Sequence, residues 1–280
     1  MKTTHEEQVE RFYSHGSDHR GAQDGGFLSL GYWNERKQNY HQAVELLISH
    51  LLKDEAPINK GTVLNVACGY GAETLKIFEK LQPENIIAID ITGPHIEFAK
   101  IKAQEKHLSD RINFEKMDAC TLPFKPFSFK YVIGIEGPAH FKTRENFLKK
   151  AYEVLENNGI LLLADIIVNN RSGKNNFVSK IIGNSCARHW YMPRENWMSI
   201  KEMTSMLRNI GFSIDKLEVA GDKVYPGFAR FNLKWSSIVN AFRIRGIFLG
   251  TGLTVISWML GYLYKKKMID YVFVRAVKIV

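Results

Sequence analysis

The stretch Gly61–Gly71, GTVLNVACGYG, joins a short apolar run to a turn of small residues. A strand that is covered on both faces of a parallel sheet is nearly continuously hydrophobic, and Val63–Val66 fits that description. Glycine at Gly69 and Gly71 removes the Cβ atoms that would keep a ligand away from the backbone. The residues that follow have helical periodicity, so the N–H groups that begin this helix point toward the same turn. The stretch therefore predicts a buried strand, a ligand-binding turn and a helix.

The residues around this turn narrow the class of ligand. A dinucleotide fingerprint would place a third glycine where Thr74 stands, and the Gly-Lys-Ser/Thr of a phosphate-binding loop does not occur in the sequence. A second apolar run, Asn85–Asp90, ends in an acid that is placed as an acceptor for ribose hydroxyls would be. A glycine turn followed by Asp90 therefore predicts a nucleoside ligand.

The turn resembles the first motif of the class I S-adenosylmethionine-dependent methyltransferases. That motif is an acid followed by x-G-x-G-x-G, and residues 65–71 match it with Asn65 in place of the acid and Ala67 in place of the first glycine. Asn65 keeps an acceptor oxygen, and Ala67 is the smallest residue that has a Cβ atom. Asp90 matches the acid that holds the ribose hydroxyls in this family.

Two later segments extend the resemblance to about residues 36–220. Asp118 matches the family's partner for the adenine amino group, and the run 131–136 matches the fourth strand, which ends at Glu136 facing the sulfonium. Four motifs in the right order are far more specific than one glycine turn. The resemblance implies S-adenosylmethionine as cofactor. The residues that it assigns to cofactor binding are Asn65, Ala67, Cys68, Gly69, Gly71, Asp90, Ile91, Asp118, Ala119, Glu136 and Tyr32.

The family resemblance also implies an α/β fold, with a doubly wound, seven-stranded, mostly parallel sheet whose last strand is antiparallel. Alternating strand and helix patterns with short links agree with right-handed crossovers. The sequence divides into an N-terminal arm or lid (1–35), a cofactor-binding core (36–219), a helical apolar insertion (220–270) and the last strand of the sheet (271–280). Ligands of such sheets bind beyond the carboxyl ends of the strands.

Local signals predict several ends of helices. Thr143 is a typical N-cap, and the helix that it begins is predicted to end at Asn157–Gly159, since asparagine and glycine favour helix C-termini. Ser199 and Glu202 have the spacing of a capping box. Gly211 is predicted to end the helix that follows.

Composition indicates an ordinary globular protein. Of its 280 residues, 45% are hydrophobic and 24% are charged, and its three widely spaced cysteines favour a reduced, intracellular protein. His15 and His19 have helical spacing but lie in a polar, glycine-rich segment, and no Cys/His cluster of zinc spacing occurs, so no metal is expected. The N-terminus lacks the apolar segment of a signal peptide. These features predict a cytoplasmic protein.

A formal net charge of +9 is compatible with a nucleic acid, an anionic membrane surface or neither as partner. Most basic residues are scattered over predicted helices, so nucleic-acid binding is not expected. Arg243, Arg245 and Lys265–Lys267 instead flank the uncharged segment 247–264. Three interpretations of that segment stay open, namely lid helices that line an apolar cavity, a helix at a membrane surface, and a membrane span.

The candidate catalytic residues directly follow the fourth strand, in the run Glu136–Phe141. Methyl transfer from a sulfonium is an in-line displacement, and a base is needed when a hydroxyl or an activated carbon keeps its proton until late. A histidine with its ordinary pKa near 6.5 suits that role, so His140 is the candidate base and Glu136 the candidate orienting group. The alternative is that Glu136 is a charge at a helix N-terminus and His140 a donor in the cavity wall.

Aromatic residues predict an apolar cavity for the methyl acceptor. A Leu-Gly-Tyr-Trp segment, residues 30–33, is similar to one in quinone-pathway, sterol and natural-product methyltransferases, which methylate carbon or oxygen. The acceptor is expected to be a bulky, apolar small molecule such as an isoprenoid, a polyketide, a quinone precursor or an acyl chain. The candidate contact residues are Tyr32, Trp33, Phe141, Trp190, Tyr191 and Trp197.

Two functions outside catalysis also fit the sequence. The departures at Asn65 and Ala67 suggest a nucleoside-binding protein that kept the fold and lost the reaction. The basic, apolar insertion suggests a protein that attaches to membrane surfaces without a cofactor. Cofactor binding without methyl transfer would favour the first function, and liposome binding without cofactor would favour the second.

Overall fold

The computed structural model describes residues 3–14, 25–169, 181, 184–185, 188 and 190–279. His15, His19 and most of the link after residue 169 lie outside the described residues. The strands are β1 (Thr62–Val66), β2 (Asn85–Asp90), β3 (Ile112–Lys116), β4 (Phe129–Ile135), β5 (Leu155–Val168), β6 (Phe212–Val219) and β7 (Ile269–Lys278). The helices are α1 (His5–Ser14), α2 (Tyr40–Leu51), α3 (Ala72–Leu81), α4 (Gly93–Glu105), α5 (Arg144–Val154), α6 (Ile200–Ile210), α7 (Gly221–Asn232) and α8 (Trp235–Lys265).

The seven strands form one sheet in the order β3-β2-β1-β4-β5-β7-β6. The first five strands are parallel, and β7 lies antiparallel between β5 and β6, with Leu163 opposite Val274. The predicted doubly wound, seven-stranded fold is confirmed. The strand order reverses between β1 and β4, and the carboxyl ends of these two strands leave the crevice in which such sheets bind ligands.

Both faces of the sheet are covered by helices. Val132 and Ile133 of β4 are fully buried in two different hydrophobic clusters, because successive residues of a strand point to opposite faces. Ile133 packs in the cluster that includes α2, α3, α4, α7 and α8, whereas Val132 packs with α5 and α6. This double burial explains why the central strands read as continuous apolar runs.

Most predicted helix ends are confirmed, but one is wrong. Thr143 caps α5, and Ser199 and Glu202 form a reciprocal capping box. The helix predicted to extend to Asn157–Gly159 ends at Val154 instead. Its last residues are followed at once by β5, so the chain passes from helix to strand without a separate loop.

The Asn157–Gly159 segment forms an irregularity within β5. Leu155 of β5 pairs with Phe129 of β4, and the next pair is Ile160 with Tyr131. Five residues of β5 therefore span the same distance as two residues of β4. A Cβ atom on Gly159 would lie 2.8 Å from the carbonyl oxygen of Glu156, which no other residue would tolerate without a shift. The Asn-Asn-Gly sequence therefore bends a strand, and its residue types are shared with helix C-termini.

The insertion consists of α7 and α8, which pack on each other before β7 enters the sheet. At Gly246, φ is 72° and ψ is 173°, so α8 is broken there. Within the described residues, α8 is the one helix whose length and composition would allow it to cross a membrane; its most apolar window has a mean hydropathy of 1.5 and is 22% buried. Leu260 and Leu263 in its second half are buried in the core beside the sheet.

The segment Phe27–Trp33 packs between the core and the insertion. The backbone N–H of Trp33 donates to the carbonyl oxygen of Lys223 at 2.7 Å, and its indole N–H donates to the carbonyl oxygen of Leu30 at 2.9 Å. Gly227 on α7 provides the space, because a Cβ atom there would overlap the Cβ and Cγ atoms of Trp33. The N-terminal arm and the insertion therefore share a close interface.

Candidate active site

A cavity of about 890 Å³ lies at the carboxyl ends of β1, β2 and β4. Its walls also include residues of α1, the segment 27–30, residues 190–192, α7 and α8. A cavity of this size at this place in a doubly wound sheet is typical of a ligand-binding site. The predicted cofactor-binding residues that line it are Asn65, Ala67, Cys68, Gly69, Asp90, Ile91, Asp118, Ala119 and Glu136.

The turn after β1 has left-handed backbone at Ala67 (φ 52°), Gly69 (φ 52°) and Gly71 (φ 83°). Gly69 lies in the cavity wall, and its N–H donates to the Asp90 carboxylate at 2.9 Å. Gly71 is the N-cap of α3 and lies outside the cavity wall; a Cβ atom there would lie 2.8 Å from that of Ala99 on α4. Gly71 therefore allows helix packing, whereas Gly69 faces the ligand space.

Asn65, which stands in place of the family's acid, is held by two neighbouring elements. Its Nδ2 donates to the carbonyl oxygen of Ile133 on β4 at 3.2 Å, and its Oδ1 accepts from the Thr74 hydroxyl on α3 at 2.7 Å. Asn65 and Thr74 are buried. An ionised acid could not donate to Ile133, whereas the amide makes both bonds. The substitution therefore replaces a charge by a neutral link between β1, β4 and α3.

Asp90 is buried at the end of β2 and accepts hydrogen bonds from the backbone. Gly69 donates to Oδ2 at 2.9 Å and Thr92 donates to Oδ1 at 2.8 Å. Nδ1 of His95 lies 3.5 Å from Oδ1, within ion-pair range but without hydrogen-bond geometry. Burial alone would raise the pKa of Asp90, but His95 and the two backbone donors together hold this pKa below its usual value. The carboxylate is therefore ionised and keeps lone pairs for further donors.

The loop after β3 brings Asp118 and Ala119 to the same cavity. Oδ1 of Asp118 accepts from the N–H of Cys120 at 2.9 Å. Burial and then the Asp118 charge raise the pKa of the Cys120 thiol to about 12, and burial and the Asp90 charge raise the pKa of the Cys68 thiol well above its usual value. Both thiols are therefore protonated at neutral pH and are not nucleophiles.

His140 lines the cavity from a short 3₁₀ turn, Pro138–His140, after β4. Its Nδ1 lies 2.7 Å from the carbonyl oxygen of Trp190, which can only accept, so Nδ1 carries the hydrogen and Nε2 the lone pair of the neutral ring. Nε2 lies 3.4 Å from the hydroxyl of Tyr13, which also lines the cavity. Burial lowers the pKa of His140 to about 4. The imidazole is therefore neutral at pH 7.

Glu136 is half-buried in the cavity wall, and its Oε1 accepts from the N–H of Leu30 and the hydroxyl of Tyr271, both at 2.9 Å. Burial raises the pKa of Glu136 to about 8, although these two bonds act in the opposite direction. Glu136 is therefore mainly a neutral acid at pH 7. The structure differs here from the predicted pairing, since the side chain of Glu136 is held by the arm and β7, and the carbonyl of Trp190 orients His140.

A buried polar cluster supports the turn that carries His140. The Nδ2 atom of Asn196 donates to carbonyl oxygens on both sides of His140, those of residues 139 and 141, at 3.0 and 2.7 Å. Arg144 donates to the carbonyl oxygen of Asn196 at 2.8 Å and to the carboxylate of Asp165 at 2.9 Å. Arg144 and Asp165 are fully buried. The cluster therefore fixes the backbone on either side of the histidine.

The aromatic residues predicted to contact the acceptor fall into two groups. The cavity is lined by Phe141, Trp190 and Tyr191. The structure does not bring the other three, Tyr32, Trp33 and Trp197, to the cavity wall.

These three aromatic residues fill interfaces between elements. The ring of Tyr32 stacks on His50 with centroids 4.5 Å apart, and Trp33 packs 5.3 Å from Phe231. Trp197 packs against the core cluster on the α2 side of the sheet. Large apolar rings stabilise a fold most when they are buried in this way. An aromatic segment in a sequence therefore fits a core interface as well as a ligand cavity.

Sequence reasoning missed the contribution of α1 to the cavity. The Tyr13 hydroxyl lies next to His140, and its ring lies edge-on to that of His95 with centroids 6.1 Å apart. Tyr13 lies near the end of α1 (His5–Ser14), and no motif in the sequence marks it. Val9, Phe12 and Tyr13 have the i, i+3, i+4 spacing of one helix face, which is the signal that could have placed this face of α1 against the core.

Glu73 is a second residue that sequence reasoning missed. It is buried near the start of α3, and its Oε1 accepts from the N–H of Leu28 at 3.3 Å and from the hydroxyl of Ser29 at 3.2 Å. Burial raises the pKa of Glu73, although these donors oppose the effect. Glu73 therefore attaches the N-terminal arm to the turn that borders the cavity.

The residues around the cavity fit S-adenosylmethionine. Glycine is favoured at Gly69, because φ there is 52° and a Cβ atom would lie 3.0 Å from the Leu28 side chain, where the arm closes over the turn. Asp90 offers an ionised acceptor suited to ribose hydroxyls, and Asp118 offers a second acceptor suited to an adenine amino group. Among the residues that the structure describes, no group of three or more His, Cys, Asp or Glu side chains is placed to hold a metal ion.

Comparisons with known proteins agree with this geometry. Residues 58–216 match the family model of the methyltransferase domain. An erythromycin 3''-O-methyltransferase from Saccharopolyspora erythraea is 30% identical over 210 residues, which cover 74% of this chain and 68% of that protein. A solved geranyl diphosphate methyltransferase in complex with GPP and sinefungin has a TM-score of 0.81 at 14% identity over 100% of both chains.

A second solved structure, of a cyclopropane synthase from Mycobacterium tuberculosis, has a TM-score of 0.80 at 14% identity and covers 99% of both chains. At such identities the solved structures show the fold alone. The family model covers more than half of the chain, and the erythromycin enzyme is similar over two thirds of its own length. The chain therefore belongs to the class I S-adenosylmethionine-dependent methyltransferases that act on small molecules.

Proposed function

We propose that the protein transfers the methyl group of S-adenosylmethionine to a hydroxyl oxygen of a bulky, largely apolar small molecule, with His140 as the base. The observation that carries this proposal is the tautomer of His140. Its Nδ1 is bound to a carbonyl oxygen at 2.7 Å, which leaves a lone pair on Nε2 in the cavity wall. A neutral imidazole in this state accepts a proton at Nε2. This suits an acceptor that arrives as a neutral hydroxyl.

We assign cofactor binding to Gly69, Asp90 and Asp118, with Ile91 and Ala119 as apolar contacts. S-adenosylmethionine, when bound, supplies an electrophilic methyl group on a sulfonium. The protein's own task is to hold the acceptor oxygen on the axis of transfer and to exclude water. The ionised carboxylate of Asp90 is suited to accept from ribose hydroxyls because its pKa is held low.

The proton of the acceptor hydroxyl passes to Nε2 of His140. A weak base is sufficient, because the oxygen becomes strongly acidic as its bond to the methyl group forms. The carbonyl of Trp190 orients the ring and stabilises the imidazolium that results. Asn196 keeps the turn in place through its bonds on both sides of the histidine. The product is a methyl ether, and His140 then releases its proton to solvent.

The far wall of the cavity supports an apolar acceptor. Phe228 on α7 and Leu253 and Ile256 on α8 contribute aliphatic and aromatic surface, and Met192 adds to it. A bulky molecule such as a polyketide or an isoprenoid buries apolar area against such a wall while it presents one hydroxyl to His140. One relative is named for O-methylation of erythromycin, which agrees with oxygen as the acceptor atom.

The experiment uses the full chain in two steps. Calorimetry with S-adenosylmethionine measures cofactor binding, and a transfer assay with a labelled methyl group then compares hydroxylated polyketides and isoprenoids with the same compounds whose hydroxyl is removed. We expect label only on the hydroxylated member of a pair, and a methoxy signal in the NMR spectrum of the product. A methyl group on carbon, or equal labelling of both members, would contradict an oxygen acceptor.

A further inference from the structure

The helix α8 is a helical hairpin. Its backbone leaves the helical region at Gly246, and a Cβ atom on Gly250 would lie 2.8 Å from the ring of Phe242 and 3.0 Å from the carbonyl carbon of Ala241. In a straight helix, nine residues separate two positions by about 13 Å along the axis. The chain therefore reverses at Gly246, and two antiparallel arms, 235–245 and 247–265, pack against each other.

Most of the large apolar side chains that are exposed among the described residues lie in or next to the hairpin. At the tip, Phe248 is 93% exposed and Ile247 is 75% exposed, and at the start of the first arm Trp235 is 78% exposed. Of the fourteen large hydrophobic residues that are exposed among those described, nine lie between residues 233 and 258. They are Leu233, Trp235, Val239, Phe242, Ile247, Phe248, Leu249, Val255 and Trp258. Exposed apolar side chains that are grouped in one part of the fold mark a candidate interaction site.

The exposed residues of the first arm lie on one face. Trp235, Val239 and Phe242 are separated by four and three residues, which is the spacing of one side of a helix. One more step along that side reaches Gly246, where the tip residues Ile247 and Phe248 follow. The apolar stripe therefore runs along the arm to the tip, and we call these five residues the hairpin patch.

The excess of basic over acidic residues lies in the part of the sequence that contains this patch. Residues 223–269 hold eight of the 38 lysines and arginines and none of the 29 acidic residues. The rest of the chain has 30 basic and 29 acidic residues and is nearly neutral. Lys234 and Arg243 are exposed beside the patch. Exposed apolar side chains next to exposed basic side chains are complementary to an anionic lipid surface.

The packing of the second arm excludes a span. Leu260 and Leu263 are buried in the core, and the ring of Tyr264 stacks on Tyr225 of α7 with centroids 5.5 Å apart. The chain then enters β7, which pairs with β5 and β6 in the sheet. The second arm is therefore fixed to the protein, and the hairpin can lie on a membrane but not cross it.

The other side of the hairpin lines the candidate active site. Ala241 and Ile244 of the first arm and Leu253 and Ile256 of the second arm contribute to the cavity wall, and Phe248 at the tip belongs to the patch and to the cavity rim. We propose that the hairpin patch docks the protein on an anionic phospholipid bilayer and thereby sets the cavity rim against the lipid. Docking itself does not depend on methyl transfer, whereas delivery of an apolar acceptor from the bilayer rests on the proposed function.

Flotation of the full chain with vesicles, without cofactor, tests the docking. We expect the protein to float with vesicles that contain phosphatidylglycerol, to float much less with pure phosphatidylcholine, and to be released by salt. The variant Trp235→Ser/Ile247→Ser should weaken binding at least about tenfold, because two exposed apolar side chains lose their contact with lipid. Ile101→Ser, at an apolar residue that is 55% exposed on α4, is the matched control and should bind as the wild type does.

A charge-reversal pair tests the electrostatic part. Lys234→Glu/Arg243→Glu should weaken binding to the anionic vesicles by about tenfold or more. Lys106→Glu/Lys125→Glu changes the net charge equally at exposed positions far from residues 223–269 in the sequence and should have less effect. Equal losses in the two pairs would show that only net charge matters and would overturn the hairpin as the docking site.

Three further results would overturn the proposal. The first is that the protein floats with neither kind of vesicle. The second is that flotation is insensitive to salt and is the same for Trp235→Ser/Ile247→Ser and Ile101→Ser. The third is that sedimentation shows a dimer of the wild type that Trp235→Ser/Ile247→Ser converts to a monomer. The last result would assign the patch to a second copy of this chain. Because flotation needs neither S-adenosylmethionine nor turnover, its failure leaves the methyl-transfer proposal intact, and a failed transfer assay leaves the docking result intact.

Discussion

The carbonyl oxygen of Trp190 accepts a hydrogen bond from Nδ1 of His140 at 2.7 Å, across fifty residues of sequence. This bond determines which nitrogen of the ring is basic. A carboxylate in that position would also raise the basicity of the imidazole, whereas a carbonyl orients the ring and adds no charge. The site therefore combines a weak base with a fixed direction of proton transfer.

Replacing His140 by Gln is expected to lower kcat by about 10²–10⁴-fold, because the amide cannot accept the proton of the hydroxyl. The dissociation constant of S-adenosylmethionine, measured by calorimetry, should stay nearly unchanged. His107→Asn, at an exposed histidine after α4, serves as the control and should keep full activity. A loss of cofactor binding in His140→Gln would instead give the residue a structural role.

The pH profile is a second check of the same residue. Burial lowers the pKa of His140 to about 4, so the basic form is present throughout the neutral range. We expect kcat/KM to lack an acidic limb near pH 6.5 and to fall only as the pH approaches about 4. A limb near 6.5 would mean that the imidazole titrates as an ordinary exposed histidine.

Glu136→Gln is expected to change how stability depends on pH. Burial raises the pKa of Glu136 to about 8, above its value in the unfolded chain, so the folded protein holds a proton that the unfolded chain releases. The stabilisation is complete below the unfolded pKa and is lost as the pH rises to about 8. Urea unfolding from pH 5 to pH 9 should show the wild type losing up to about 1.4 kcal/mol per pH unit relative to the variant, until the curves become parallel. Parallel curves throughout would mean an ordinary carboxyl group.

Asp165→Asn should destabilise the protein by about 3–5 kcal/mol, because it leaves the buried guanidinium of Arg144 without its counter-charge. Glu195→Gln is the matched control, since its ion pair with Lys142 at 2.9 Å is exposed and should contribute less than about 1 kcal/mol. Thermal and urea unfolding measure both. Similar losses in the two variants would show that burial of the Arg144 pair has no special effect.

Gly227→Ala is expected to destabilise the protein by about 1–3 kcal/mol, because the new Cβ atom would overlap Trp33. Gly252→Ala is the control, since no atom lies within 4 Å of its Cβ position on α8. There the substitution should stabilise the protein by about 0.5–1 kcal/mol through its helix propensity. The double variant Trp33→Ala/Gly227→Ala should lose less stability than the sum of the two single losses, because the overlap is absent once the indole is removed. Additive losses would contradict the contact.

The features that the sequence predicted correctly are those with local signals. Apolar runs that end in Asp90 and Glu136 define strands, and the family resemblance orders them into a sheet. The Asn-Asn-Gly sequence at residues 157–159 misled because the same residue types end helices and bend strands. The pairing of β5 with β4 makes this segment part of a strand and not a helix end. A single sequence does not show which strands pair.

Contacts between distant segments account for what the sequence did not predict. The partner of Asn65 is Thr74, the residue whose side chain argued against a dinucleotide loop, and nothing in the spacing indicates that the two bond to each other. Trp190 was predicted to contribute its ring, yet its carbonyl oxygen also determines the tautomer of His140. Backbone groups have no signature in a sequence, so their roles emerge only from the fold.

The contact between Trp33 and Gly227 has a consequence for synthesis of the protein. The arm is made early, but its partner on α7 leaves the ribosome almost two hundred residues later. During that interval Trp33 and its apolar neighbours lack their packing partner on α7 and are exposed to solvent and chaperones. The wall of the active-site cavity that α7 and α8 contribute can therefore be completed only late in the synthesis of each molecule.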